Sequence, residues 1–194
     1  VETVEVIRDQ MESSPVTVED FPSELRIGCQ RNLTDQMVAD VSKALHALGA
    51  KKKIVTIDLR GCGGGKVETA VSFASLFLPA NDLIAKLETV DGREKLMSSN
   101  PAPFYPSKMV ILQDRFTASA AEMIIAALVS NRRFPVETRG QRSYGKGVTQ
   151  RPVEIVGDEK GTTAGVLKIT DTRIYGPKDE VWDGEGLPPM VEAK

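Results

Sequence analysis

The chain places one serine, Ser119, between an apolar run, "MVILQD", and a helix-like run, "AAEMIIAALV". A lone hydroxyl between alanines on such a corner is either part of a packing turn or a nucleophile that needs a base. A Ser/His/Asp site would require a histidine. The only one is His46, inside a segment with helical apolar spacing, and it reads as structural. The same absence disfavours Cys62 as a Cys/His nucleophile. The remaining base is Lys146, in "SYGKGVTQ", between Gly145 and Gly147. Glycines on both sides let the backbone come close to another element. A lysine is a general base only when uncharged, and burial against apolar walls favours that form. Gln150 lies four residues on and shares a face with Lys146 in an extended segment, where it can orient the amine. The third piece is "DLRGCGGG", a glycine-rich strand-to-helix turn whose N–H groups suit an anion. P-loop spacing and a full dinucleotide fingerprint are both missing. That leaves the oxyanion of an acyl intermediate, with the Ala120 N–H as a second donor.

The elements that must position these groups follow from periodicity. Residues 2–8 alternate apolar and polar and read as a strand; "SSPVTVEDFPSE" reads as a linker with a short extended piece. "ELRIGCQ" is a strand. "NLTDQMVADVSKALHALGA" is a helix with Asn32 or Thr34 as cap and Met37, Val38, Val41, Leu45 and Leu48 as its stripe, ended by Gly49. "KIVTIDLR" is a strand buried on both faces, so residues 24–60 form a crossover unit of a parallel sheet. A helix follows the glycine-rich turn and stops at Pro79. Asp91-Gly92 predicts a hairpin between "LIAKLET" and "REKLM". "KMVILQD" is a second buried strand and 118–130 its helix. From Pro135 the chain is strand-rich and broken by glycines. The expected fold is α/β, with an antiparallel β-rich flank.

Composition narrows the partners. Lys and Arg total 25 against 27 Asp and Glu over 194 residues, and the longest basic run is "KKK" at 51–53, read as a loop, so nucleic acid is not an expected partner. No apolar stretch reaches the ~18 residues of a membrane span; "AVSFASLFLPA" reads as a core helix. No signal peptide is recognisable, and the opening "VETVEVIRDQ" reads as an excised or processed segment. Two cysteines and one histidine do not build a Cys/His zinc site, and no metal or other cofactor is expected. Cys29 and Cys62 read as small buried residues. A bridge between them requires neighbouring strands and an oxidising compartment.

Together these segments resemble the catalytic domain of the C-terminal processing peptidases, or tail-specific proteases. "IVTIDLRGCGGGKVETAVSFASLFLP" is similar to the family's glycine-rich turn and following helix, "VILQDRFTASAAEMI" to its nucleophile segment and "SYGKGVTQ" to its lysine segment. "GVLKITDTRIYGP" and "GEGLPPMV" resemble its closing strands, and "TVEVIRDQM" the stretch leaving its PDZ domain. The resemblance implies Ser119 as nucleophile, Lys146 as base and Gln150 as the residue orienting the lysine. It implies Glu122 as a supporting carboxylate, and Gly64 (or Gly65) and Ala120 as oxyanion amides. It implies a core of the Clp peptidase and crotonase type. Residues 1–20 would leave an absent PDZ domain and pack on the core, and 21–194 would be the catalytic domain.

The sequence also departs from the family pattern. Ser119 and Lys146 are slightly further apart than in the family, which places the extra residues in "NRRFPVETRGQR". Ser130 stands where some members carry an aspartate, and Pro189-Met190 replaces a closing Pro-Asp. The implied activity is a Ser/Lys endopeptidase acting on C-terminal regions of unfolded or tagged proteins in a periplasmic or otherwise exported setting, with no stable membrane insertion. The oligomeric state is not implied. Two alternatives stand beside it: an idle peptidase-like scaffold, and a crotonase-like acyl-CoA enzyme, for which no adenine or pantetheine cue is present.

Overall fold

The computed structural model describes residues 16–29, 31–48, 53–157 and 163–193. The expected strand at 2–8 and the helix stop at Gly49 lie outside these residues. The first described element, β1 (Val16–Asp20), is the extended piece of the expected linker. It pairs antiparallel with β2 (Glu24–Cys29), from Val16 opposite Cys29 to Asp20 opposite Leu25. This segment is therefore an edge strand of the main sheet.

α1 (Asp35–Leu48) then crosses over to β3 (Ile54–Asp58), which lies parallel to β2 with Leu25 opposite Val55. The helix starts at Thr34, whose Oγ1 accepts the Met37 N–H at 3.2 Å. Met37, Val41 and Leu45 are buried, with Val38 and Leu48 half-buried beside them. His46 sits on the exposed side of α1, its Nδ1 2.7 Å from the Ser42 carbonyl oxygen. In β3, Val55, Thr56 and Ile57 are all buried, so both faces of this central strand are covered.

The glycine-rich turn leads into α2 (Val67–Ser75). A hairpin follows, β4 (Leu83–Thr89) and β5 (Gly92–Met97). Its turn sits one residue earlier than Asp91-Gly92 predicts: Thr89 pairs with Gly92, so Val90 and Asp91 form the loop. Gly92 opens β5 at φ 138°, a conformation that only glycine adopts without strain.

Next come β6 (Lys108–Gln113) and α3 (Ala120–Asn131). Within "NRRFPVETRGQR", where the strand-rich stretch from Pro135 begins, lies β7 (Val136–Gly140), which pairs in parallel with β6. Val136 and Thr138 point inward on alternate positions, which suits a strand packed on one face. The short β10 (Val191–Glu192) closes the main sheet, whose order is β1-β2-β3-β6-β7-β10. A second, antiparallel sheet runs β5-β4-β9-β8, using β8 (Val148–Val156) and β9 (Thr163–Tyr175). This is the expected α/β core with an antiparallel flank.

Residues 120–128 of α3 are all buried. A helix apolar all round must be enclosed by other elements. α3 contacts α2, β4 and β7, and so lies between the main sheet and the flank.

Candidate active site

Ser119 is the residue before α3, at φ 58° and ψ −121°. That lies outside the regions open to most L-residues and costs about 1–3 kcal/mol, so its surroundings must impose it. Three hydrogen bonds do so. The Ala118 N–H donates to the Cys62 carbonyl (3.0 Å) and the Met123 N–H to the Ser119 carbonyl (3.1 Å). The Ser119 N–H donates to Glu122 Oε2 at 2.7 Å.

That same Glu122 oxygen accepts the Lys146 N–H at 2.8 Å. The other carboxylate oxygen accepts the Ser143 hydroxyl at 2.6 Å and the Gly145 N–H at 2.7 Å. Glu122 is fully buried, and these four donors fill its acceptor capacity. One carboxylate therefore joins the backbone of Ser119 to the backbone of Lys146, itself 24 residues before that lysine.

The lysine segment is held from its other side by a turn at 182–187. The Trp182 Nε1–H donates to the Lys146 carbonyl (3.2 Å), the Gly184 N–H to the Gly145 carbonyl (2.8 Å) and the Gly147 N–H to Asp183 Oδ1 (3.0 Å). This is the element that the flanking glycines admit. A Cβ on Gly145, at φ 90°, would lie 2.7 Å from the Gly186 nitrogen; one on Gly147 would lie 2.8 Å from Asp183 Cβ. Ser143 completes the clamp, accepting the Leu187 N–H at 2.7 Å. Sequence reasoning passed over Ser143, Trp182 and Asp183. Nothing in their spacing marks them, although Trp182 is the only tryptophan and is fully buried.

Ser119, Lys146, Gln150 and Gly65 all line one open cavity of about 850 Å³. Ser119 and Lys146 are half-buried and Gln150 is exposed. Gln150 reaches the cavity from β8, beside an irregular register in which Thr149 faces Thr172 and Gln150 faces Thr170. Val67, Val71, Leu87 and Leu96 give the cavity an apolar wall, and Lys66, Glu68, Glu94 and Lys168 supply charge around it. Ala120 and Gly64, on either side of the Ser119 corner, are buried. Gly64 has φ 95°, and a Cβ there would lie 2.7 Å from the Ala118 carbonyl oxygen and 3.0 Å from Ser119 Cβ.

The two cysteines are both buried and unbridged, Cys62 within this turn and Cys29 at the end of β2 beside it. Their thiols are hydrogen-bonded to each other, which lowers the pKa of Cys62 and raises that of Cys29. Burial pushes both upward, and the Gly64 N–H, aimed at the Cys62 sulfur, draws Cys62 down again.

Ser130 is remote from this centre. It lies about three helical turns along α3 from Ser119, and its hydroxyl donates to Glu180. Among the described residues no cluster of His, Cys, Asp and Glu could hold a metal ion.

Comparison with known proteins agrees with this architecture. The chain is 28% identical over 191 residues to the carboxy-terminal processing protease CtpA of Bacillus subtilis, covering 98% of this chain and 38% of that protein. Among solved structures, a photosystem II D1 C-terminal processing protease superposes with a TM-score of 0.79 at 21% identity, over 96% of this chain and 50% of that one. A lipoprotein from Streptococcus agalactiae gives 0.70 at 17% identity, over 94% and 66%. The chain thus spans well under two thirds of its curated relative. The description of peptidase family S41 matches residues 16–193. With nearly every described residue inside that match, the chain belongs to peptidase family S41.

Proposed function

We propose that this chain is the catalytic part of a serine endopeptidase that cuts C-terminal regions of unfolded or tagged proteins with a Ser119/Lys146 pair. The observation that carries the reading is the shared cavity, lined by both side chains, above a single carboxylate oxygen that holds both backbones. Lys146, uncharged, takes the proton from Ser119 Oγ as that oxygen attacks the scissile carbonyl. The carbonyl oxygen gains negative charge and is met by backbone N–H groups. Ala120 N–H is one donor. Gly65, on the cavity side, suits the second role better than Gly64, whose N–H is engaged by the Cys62 sulfur. Lys146 then gives its proton to the leaving amine. A water, activated by the same amine, releases the acyl group. Gln150 orients the lysine from β8. The apolar wall of Val67, Val71, Leu87 and Leu96 suits a non-polar residue beside the scissile bond.

By resemblance, the protein works in a periplasmic or otherwise exported setting. The test is turnover of an unfolded reporter bearing an apolar C-terminal tail. Ser119→Ala and Lys146→Ala are each expected to reduce cleavage to background with an unchanged circular dichroism spectrum. Unchanged turnover in either variant overturns the pair. A wild-type chain that binds the tail without cutting it points instead to the scaffold alternative.

A further inference from the structure

At the glycine-rich turn, the peptidase site makes no use of two nucleophilic groups. Cys29 ends β2 and Cys62 lies in the turn after β3, and these strands pair in parallel up to Gly28 opposite Asp58. Past that point the two segments stay together: the Gly63 N–H donates to the Arg31 carbonyl (2.6 Å) and the Leu33 N–H to the Gly64 carbonyl (2.8 Å). The thiols meet inside this ladder. They are the only cysteines in the sequence. Buried thiols are ordinarily inert, but two features separate this pair from that case. Cys29 lines an open depression of about 350 Å³ beside Asp58, Arg60 and Asp114, which a small oxidant can enter. Cys62 has the Gly64 N–H directed at its sulfur, which favours the thiolate.

We infer that Cys29 and Cys62 are a modification site, oxidised by hydrogen peroxide to a disulfide that shifts the turn under Ser119 and lowers peptidase activity. In the first step the Cys29 sulfur, which lines the depression, attacks one peroxide oxygen while its proton passes to the neighbouring Cys62 thiolate. The O–O bond breaks, Cys29 becomes a sulfenic acid, and the departing hydroxide takes a proton to leave as water. In the second step the Cys62 sulfur attacks the sulfenic sulfur of Cys29. The S–S bond forms, and the sulfenic oxygen leaves as water with the Cys62 proton. Two thiols and one peroxide thus yield one disulfide and two waters, and a thiol reductant reverses the change.

The consequence for activity rests on the reading of Ser119 and Lys146 given above. The bond pulls the two sulfurs closer than hydrogen-bond contact, and Cys62 moves on the flexible side, in a turn rich in glycine. Its carbonyl accepts the Ala118 N–H, its sulfur accepts the Gly64 N–H, and Gly64 packs on Ser119. Displacing the turn therefore disturbs both the serine backbone and the adjacent oxyanion amides. A shift of about 1 Å at such a site can cost about 100-fold in rate.

The experiment treats the reduced protein with hydrogen peroxide, removes excess oxidant with catalase, and follows three readouts. Intact mass is expected to fall by two hydrogens, and peptide mapping to join the Cys29 and Cys62 peptides. Reporter turnover is expected to drop by about 10- to 100-fold and to return with dithiothreitol. Cys29→Ser, assayed alongside, is expected to keep its turnover through the same treatment. Two reactive thiols remaining after treatment overturn the inference, as does an activity loss that is equal in Cys29→Ser. A disulfide that forms without altering turnover overturns the coupling to the site. Failure of the peptidase reading itself shows separately, as cleavage by Ser119→Ala in the untreated protein.

Discussion

Glu122 concentrates the residue-scale logic of the site. It is a fully buried carboxylate with four donors, and two of those donors belong to Ser119 and Lys146. Replacing it with alanine strands the N–H groups of Ser119, Gly145 and Lys146 and the Ser143 hydroxyl. Breaking such a buried polar cluster costs about 3–5 kcal/mol, which at this size lowers the melting temperature by roughly 6–20 °C. Glu122→Gln keeps the volume but offers an NH2 where two N–H groups need an acceptor. Glu122→Gln is expected to reduce kcat at least about 10-fold while KM stays nearly constant, since the changed contacts set the geometry of the reacting groups. A glutamine variant with wild-type kcat would show that the bridge does not set that geometry. Both measurements come from one thermal scan and one Michaelis–Menten series.

At the scale of elements, the serine corner depends on β6 and its neighbours staying in register. β7, which the sequence reading did not delimit within the strand-rich stretch from Pro135, is bound to β6 by more than its ladder. Glu137 of β7 meets Arg139 on its own strand and Lys108 Nζ of β6 at 2.6 Å. Those two cations, Arg139 first, hold the Glu137 carboxyl down to about 2 from an ordinary 4.5. Its folded-state pKa is depressed, so the contribution is complete above about 4.5 and is lost as pH falls through about 2. The melting-temperature advantage of wild type over Glu137→Gln is therefore expected to hold from pH 7 to 5 and to shrink toward zero at pH 2. A difference that is flat across this range would mean that the ion pair is not the source. The glycine-rich turn illustrates the same scale differently. Gly64 tolerates no Cβ because the serine corner occupies that space, and Gly65, which lines the cavity, tolerates none because a Cβ there would lie 2.5 Å from the Leu33 carbonyl oxygen.

At the scale of the whole molecule, the tail of the chain completes a site that begins far upstream. Trp182 is fully buried and its indole N–H reaches the Lys146 carbonyl. Trp182→Ala is expected to cost about 3–5 kcal/mol by leaving a large cavity. Trp182→Phe keeps most of the packing and loses the hydrogen bond, worth about 1 kcal/mol. Turnover in Trp182→Phe is expected to fall more than its stability would suggest, and chemical denaturation run beside the kinetic assay checks this.

Periodicity was enough to find the crossover from β2 to β3, the helix over 35–48 and the strand-to-helix corner at Ser119, because each is a local pattern of apolar spacing. Residue chemistry, without a usable histidine, pointed to Lys146, and the resemblance supplied Glu122 and the amide donors. The turn at 182–187, the bridging role of Glu122, and the contact between Cys29 and Cys62 were not legible in the chain. β7 was foreseen only as part of a strand-rich stretch from Pro135 and not delimited, because "VETRG" is short and half polar. Each of those features joins residues separated by tens of positions, and hydrogen bonds of that kind leave no periodic trace along a sequence. Local spacing determined which residues could do chemistry; only close packing of distant segments decided which of them face one another.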